Sequence, residues 1–327
     1  MNERDMEVLQ QYDLEIYRSR KGRGAMLLET NQGLKLLKEY RGTEKRLEFE
    51  DEVLRLIKGQ GYEYVDGYVR NREGGILSSV GDRNHYVVKD WFDDRECDVT
   101  NYGEILAAVR QLARLHRMLR NVEWKEEWEM GSTTAPSLME EFDRHNKELK
   151  RARSFMRGKR KKSEFELCAL SNFERFYEQA DLAWRELADL YAGCAQNSMP
   201  VFLCHGDYSH HHIFMGREYI AVLEYSKMHL DVQMVDLYYF MRKILEKRDW
   251  NLREGMGMLE TYGKVMPIGE PERRYLYCLF LYPEKYWKQM NFYYNGNKAW
   301  IPAKNIEKLK TLENQLGKRQ LFLNEIR

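Results

Sequence analysis

Cys204-His205-Gly206-Asp207-Tyr208-Ser209-His210-His211-His212-Ile213 is the most informative stretch of this chain. It follows the apolar run Val201-Phe202-Leu203, so a short buried strand opens into a tight loop. Between His205 and His212 stand one carboxylate, one glycine and four imidazoles. A carboxylate held at a strand end can act as a proton acceptor. A second strand, Tyr219-Ile220-Ala221-Val222-Leu223-Glu224-Tyr225, follows the turn at Gly216-Arg217. Two short strands joined by a turn place Asp207, His212 and Glu224 near one another. A pair of carboxylates with an imidazole between them could hold Mg²⁺ and the phosphates it carries. The four histidines also suggest a transition-metal site, but side chains in a loop diverge and no spacing here matches a zinc ligand set. Instead, His205 is expected to hydrogen-bond within the loop, and His210 or His211 to be exposed.

Upstream, residues from about Leu14 to Phe92 alternate short strand-like runs with one helix. Gly22-Arg23-Gly24 separates Leu14-Glu15-Ile16-Tyr17 from Ala25-Met26-Leu27-Leu28-Glu29, a hairpin signal, and Asn31-Gln32-Gly33 marks a second turn. Leu34-Lys35-Leu36-Leu37-Lys38-Glu39-Tyr40 then reads as a strand of period two, with Leu34, Leu36 and Lys38 on one face. A lysine on an apolar face is costly unless it meets an anion or a carboxylate. Lys35, on the other face, is expected in solvent. A helix over roughly 43–58 carries Leu47, Leu54, Ile57 and Glu50 on one stripe. Glu50 is then either a boundary residue with a solvated tip or a partner for Lys38. His85-Tyr86-Val87-Val88-Lys89-Asp90-Trp91-Phe92 is a buried strand running into the polar turn Asp93-Asp94-Arg95-Glu96.

From Tyr102 onward the pattern is helical. Ile105, Val109, Leu112, Leu115 and His116 form a 3.6-residue stripe. Further helices are expected over 137–157 and over 163–192, the second closed by Gly193. Between them the basic run 157–162 reads as a solvated loop or as a holder of an acidic partner. Asp236 opens another helix. The last third is rich in Tyr, Phe and Trp, consistent with helix packing or with an interface; 305–327 reads as a charged helical tail.

Composition narrows the class. At 327 residues the chain can form one large two-lobed domain or two ordinary ones. Charged residues make up 32% of it, yet the net charge is only +1, so nothing global points to nucleic acid. The five cysteines are scattered and odd in number, as expected of free thiols in a reducing cytoplasm. Met1-Asn2-Glu3-Arg4-Asp5 has no apolar core, so no signal peptide is expected. No stretch approaches the ~18 apolar residues of a membrane span.

The lysine strand, the acid-bearing helix, the His205-Gly206-Asp207 loop, the Leu112-Ala113-Arg114-Leu115-His116 helix and the segment Asp231-Val232-Gln233-Met234-Val235-Asp236-Leu237 stand in a telling order. In that order they resemble the aminoglycoside phosphotransferase and choline kinase-like superfamily. The match is closest to its CotS-type spore coat branch. Tyr282-Pro283-Glu284-Lys285-Tyr286-Trp287 and Lys298-Ala299-Trp300-Ile301 in the tail look typical of that branch.

The resemblance implies an α+β, protein kinase-like fold: a mostly antiparallel β N-lobe with one helix over 1–92, and a larger helical C-lobe over 93–327. It implies ATP with Mg²⁺ or Mn²⁺, if any cofactor. Asp207, with His205, would be catalytic. Lys38, tethered by Glu50, would bind nucleotide phosphates, and Asp90 and Phe92 would line the nucleotide site at the hinge. Asp236 would support the loop. Two positions depart from the superfamily's pattern. Its metal-binding asparagine falls at His212, and its metal-binding aspartate at Glu224. Mg²⁺ prefers oxygen ligands and strict octahedral geometry. The expectation is therefore a pseudokinase-like component of the spore coat, with other coat proteins as partners. The alternative is an active phosphotransferase on a small hydroxyl compound, a saccharide or a coat protein.

Overall fold

The computed structural model describes residues 3–22, 24–81, 84–195, 198–296 and 303–327. Arg23 of the first turn and Lys298-Ala299-Trp300-Ile301 of the tail lie outside the described residues. Contacts divide the chain into two compact units. One is Met1–Thr134 with Phe202–Leu230; the other is Ala135–Val201 with Asp231–Arg327.

The first unit begins with a short helix, α1 (Glu3–Leu9), and a hairpin of β1 (Ile16–Lys21) and β2 (Ala25–Thr30). β3 (Gly33–Tyr40), α2 (Glu44–Gly59), β4 (Ser78–Val80) and β5 (Asn84–Asp90) follow. The five strands form an antiparallel sheet in the order β1-β2-β3-β5-β4. Leu36 lies opposite Lys89 and Lys38 opposite Val87, which puts both lysines on one face. Val8, Leu9 and Tyr12 cover the opposite face through Met26, Leu28, Leu37 and Val88. Leu47 of α2 clusters with Val87 and Ile76.

A sheet covered on both faces does not alternate cleanly, and this corrects the expectation for Lys35. It is 6% exposed, and its ammonium donates to the Gln32 carbonyl at 2.6 Å and to Asp90 at 3.0 Å. The covered face supplies its own acid, so the lysine can be buried there.

α2 starts where Thr43 accepts a hydrogen bond from the Arg46 N–H at 3.2 Å, and it ends with Lys58 in the last turn. After the short β6 (Arg95–Glu96), α3 (Tyr102–Arg120) is capped by Asn101 and buries Ile105, Val109, Leu112, Leu115 and His116, the expected stripe. β7 (Phe202–Cys204) pairs with β10 (His229–Asp231), while β8 (Ile213–Met215) lies between β6 and β9 (Ile220–Val222).

The second unit is helical: α4 (Leu138–Gly158), α5 (Glu164–Ser171), α6 (Phe173–Ala192), α7 (Met234–Lys247), α8 (Leu252–Gly263), α9 (Glu270–Leu281), α10 (Glu284–Asn295) and α11 (Ala303–Ile326). The single helix expected over 163–192 is two, broken at Asn172. Its side-chain amide donates to the Cys168 carbonyl at 3.2 Å, taking the acceptor that its own backbone N–H would use in a continuous helix. Tyr275, Tyr282, Tyr286 and Tyr293 are buried, so these aromatics serve helix packing. In the basic run, Lys159 pairs with Glu166 at 2.5 Å, and Lys162 donates to the Lys159 carbonyl at 2.8 Å. No helix among the described residues is long and apolar enough to cross a membrane.

Candidate functional site

Gly206 allows the central loop to form. Its φ is +78°, a left-handed conformation that side chains disfavour, and a Cβ there would stand 2.1 Å from the Lys227 carbonyl oxygen. The loop therefore packs backbone to backbone against the segment that follows β9. The Leu223 N–H donates to the His212 carbonyl at 2.9 Å, a second tie between the two segments.

His205, expected among the catalytic residues, is wholly buried and works as a loop brace. Its Nε2 faces the Leu223 carbonyl at 3.1 Å, so Nε2 carries the hydrogen; its Nδ1 accepts the Asp207 N–H at 3.2 Å. The ring thus links the Asp207 backbone N–H to the Leu223 carbonyl. The Asp207 carboxylate is partly exposed. Its Oδ2 accepts from the Lys227 ammonium at 2.7 Å and lies 3.9 Å from His212 Nδ1.

His210, His211 and His212 form a short 3₁₀ turn, and the rings point to different partners. His211 Nδ1 meets Glu96 Oε2 at 2.6 Å. His212 Nδ1 faces the Asp207 carbonyl at 2.9 Å, which fixes Nδ1 as the donor. No described residue bonds to its Nε2. Among the described residues, no group of three or more His, Cys, Asp or Glu side chains is placed to hold a metal. A cation here would have Glu224 and His212 as its protein ligands and would complete its shell with phosphate oxygens and water, as Mg²⁺ sites do.

Glu224, two residues past β9, lies in the left-handed region, φ 65° and ψ 59°. That conformation costs a non-glycine residue about 1–3 kcal/mol and persists where surroundings over-determine it. Two bonds do so. The Glu224 N–H donates to Asp66 Oδ2 at 3.1 Å, and both carboxylate oxygens accept from the Lys38 ammonium at 3.1 Å. Burial alone would raise the Glu224 carboxyl, but the charges of Lys38 and Lys89 outweigh it and hold the group below the usual carboxylate range. Asp66 is itself fully buried. Desolvation pushes its carboxyl up despite the Lys89 ammonium at 2.5 Å, and its Oδ1 has no hydrogen-bond partner.

Glu50 does not tether Lys38. It accepts from Arg46 Nε at 2.9 Å and from the Tyr68 hydroxyl at 2.6 Å. The Arg46 guanidinium reaches the carbonyls of Ser226 at 2.8 Å and Met228 at 2.7 Å. Arg46 stands one helical turn before Glu50 and competes for it at close range. The helix acid thus holds an arginine that clamps the segment carrying Lys227.

Asp90 and Phe92, expected at the hinge, also have other partners. Asp90 is held by Lys35 and by Lys58 at 2.7 Å. Burial would raise its carboxyl, but these two ammonium groups keep it low. The Phe92 ring packs near Tyr64 and Tyr219, which stack on each other 4.4 Å apart. Asp236, buried in the first turn of α7, belongs to the other unit.

The chain's sheet, helices and loop define a kinase-like phosphotransferase fold. It is similar over 98% of its length to an aminoglycoside phosphotransferase from Alicyclobacillus acidocaldarius subsp. acidocaldarius DSM 446, with 95% of that chain covered, a TM-score of 0.85 and 17% identity. It is also similar to a microcompartment-associated aminopropanol kinase (TM-score 0.65, 12% identity, covering 98% of this chain and 97% of that one). A third is the amicoumacin kinase hAmiN, solved with AMP-PNP, Ca²⁺ and Ami (TM-score 0.63, 12% identity, covering 99% and 94%). At these identities the likeness is one of fold. No curated protein sequence matches the chain. The family described as "Spore coat putative kinase YutH" matches residues 5–326, and the chain belongs to that family.

Proposed function

We propose that this protein serves in the spore coat chiefly as a binding component, on a phosphotransferase fold whose phosphoryl-transfer site has been rebuilt. One observation carries this reading. The Lys38 ammonium, expected on nucleotide phosphates, lies 3.1 Å from both oxygens of Glu224, the carboxylate expected on the metal. The two groups that should receive Mg²⁺·ATP satisfy each other. In addition, an imidazole stands at the expected amide position. A misplacement near 1 Å in a positioned site costs on the order of a hundredfold in rate. Nucleotide binding is therefore weak and transfer slow with Mg²⁺. The lobes assigned to 1–92 and 93–327, and the roles of Lys38, Asp207, His212, Glu224 and Asp236, belong to this proposal.

The second reading, an active phosphotransferase, draws on the Asp207 carboxylate. The His205 brace holds it in place as a base, with the Lys227 ammonium beside it. That ammonium could neutralise charge on a phosphoryl group in transfer. Any bound divalent cation would neutralise phosphate charge as well.

A thermal-shift titration with ATP and Mg²⁺, Mn²⁺ or neither, paired with spore coat recruitment of Asp207→Ala, separates the two. A ligand at a hundredfold its dissociation constant stabilises by about 2.7 kcal/mol. The binding reading expects normal recruitment of the variant. A folded Asp207→Ala protein that fails to reach the coat would transfer support to catalysis.

A further inference from the structure

The imidazole of His212 has one nitrogen engaged and one open. Nδ1 is fixed as a donor by the Asp207 carbonyl at 2.9 Å, with the Ser209 hydroxyl 3.5 Å away. Nε2 must then carry the lone pair in the neutral ring, and the side chain is 25% exposed. A ring whose far N–H is held by a carbonyl is the arrangement by which proteins orient a histidine toward a metal and strengthen it as a donor. In kinases the asparagine of the catalytic loop supplies an oxygen to the second cation. Here the side chain at the corresponding position donates to the backbone carbonyl of the candidate base and offers nitrogen in place of oxygen. The Leu223–His212 backbone bond brings residue 212 beside the residue that precedes Glu224.

We propose that His212 Nε2 is a nitrogen ligand that makes the cation position beside Asp207 selective for a Mn²⁺-like ion over Mg²⁺ when a nucleotide is bound. The proposal rests on the nucleotide-binding part of the reading above. The donor set decides the ion. One imidazole, one carboxylate and phosphate oxygens suit a six-coordinate ion that accepts both nitrogen and oxygen. Mg²⁺ accepts nitrogen poorly, and Zn²⁺ favours tetrahedral nitrogen and sulfur sites. Two protein ligands are too few to hold the ion alone, so metal and nucleotide enter together, and Lys38 leaves Glu224 for the phosphates.

The test uses the full chain with β,γ-methylene-ATP, which has no nitrogen in its phosphate chain, and either Mn²⁺ or Mg²⁺. Calorimetry should give tighter nucleotide binding with Mn²⁺, and Mn²⁺ alone should not bind. In His212→Asn the preference should fall on the order of tenfold. Pulsed electron paramagnetic resonance of the Mn²⁺ complex should show coupling to an imidazole ¹⁴N, absent in His212→Asn and in His212→Gln. If the nucleotide binds equally with both metals and no nitrogen coupling appears, the metal proposal is wrong and nucleotide binding survives. If no nucleotide binds with any metal, both fall. Matching melting curves for the variants separate loss of a ligand from loss of the fold.

Discussion

Arg46→Met is the most informative single substitution in this protein. The side chain is 10% exposed and its partner Glu50 is 2% exposed, so the pair sits where water screens little. Methionine has a similar reach and keeps the apolar contact with the Phe49 ring, which the guanidinium carbon now approaches to 5.0 Å. It cannot replace the bonds to Glu50, to the Ser226 and Met228 carbonyls, and to the Ser132 carbonyl at 3.3 Å. Removing one partner of a buried ion pair costs about 3–5 kcal/mol, because the other charge stays behind without compensation. The Tyr68 hydroxyl still donates to Glu50, which argues for the lower half of that range. For a domain of 150–250 residues, each kcal/mol lowers the melting temperature by about 2–4 °C. The first unit falls in that size class, so its transition should drop by roughly 6–16 °C.

Calorimetry gives the transition, and hydrogen exchange gives its location. Exchange should accelerate most in the segment around Lys227, because Arg46 holds the backbone on either side of it. Glu50→Leu in the Arg46→Met background should cost less than the sum of the two single changes, since the stranded carboxylate is then gone. A melting temperature within about 2 °C of wild type for Arg46→Met, or additive single and double effects, would refute the clamp.

Three further outcomes follow from the same structure. Gly206→Ala should destabilise by more than the ~1–3 kcal/mol of left-handed strain, since its Cβ would stand 2.1 Å from a backbone oxygen; an unchanged urea midpoint would contradict that geometry. Lys38→Met should cost less than about 1 kcal/mol in the absence of ligand, its pair with Glu224 being partly exposed, yet it should abolish any ATP-induced thermal shift; equal shifts in both proteins would remove Lys38 from the nucleotide site. Burial, aided by the Arg144 charge, pushes the His145 imidazole down to about 4. Its folded pKa lies below the unfolded value near 6.5, so it does not affect stability above that pH. Between pH 6.5 and 4 the unfolded chain takes up a proton that the folded chain refuses, and stability falls by up to about 1.4 kcal/mol per pH unit. His145→Phe keeps an aromatic against Trp287 and should lose that slope. A wild-type-minus-variant difference that stays constant from pH 7 to 5 would show that the imidazole is not held neutral.

The fold was legible because its signals are local. Glycine-bearing turns, a period-two strand with an inward lysine, a capped helix and an acid in a loop after an apolar run each occupy about ten residues, and their order along the chain is itself informative. Partner choice among charged side chains was not legible, because it depends on contacts distant in sequence. Lys38 meets Glu224, 186 positions away, and Arg46 meets the carbonyls of Ser226 and Met228. A partial signal existed for Arg46: a base four residues before Glu50 on the same helix is a competitor for that acid. Lys89 could have been found by the rule that singled out Lys38, since it too stands in an apolar strand. Asp66 gave no sign, being an acid in a loop whose burial only the fold creates. Nor could the sequence show Lys227 beside Asp207, because the close approach at Gly206 brings the two segments together.

These misplaced partnerships share one consequence. Arg46 is paired with Glu50, Lys38 with Glu224, Lys89 with Asp66, and Lys227 with Asp207. Four bases meet four acids, so the site is charge-balanced without metal or nucleotide. A site built to receive a metal–nucleotide complex gains from leaving its carboxylates and its phosphate-binding lysine unsatisfied until the ligand arrives, since preorganised charges then need no rearrangement on binding. Here such a complex would first have to separate Lys38 from Glu224 and draw Lys227 from Asp207, and the desolvation already spent on those pairs would not be recovered from the ligand. Both lysines are substantially exposed, however, so each exchange is of modest cost. The two inner pairs, Arg46 with Glu50 and Lys89 with Asp66, are buried and do not need to open. The site is therefore divided into a rigid inner half that holds the backbone of residues 224–228 and an outer half that can trade partners. Raising the salt concentration should weaken the outer pairs and leave the inner ones intact. Nucleotide affinity should then fall less steeply with salt than expected for a phosphate site with free lysines, because salt also weakens the pairs that the nucleotide must displace.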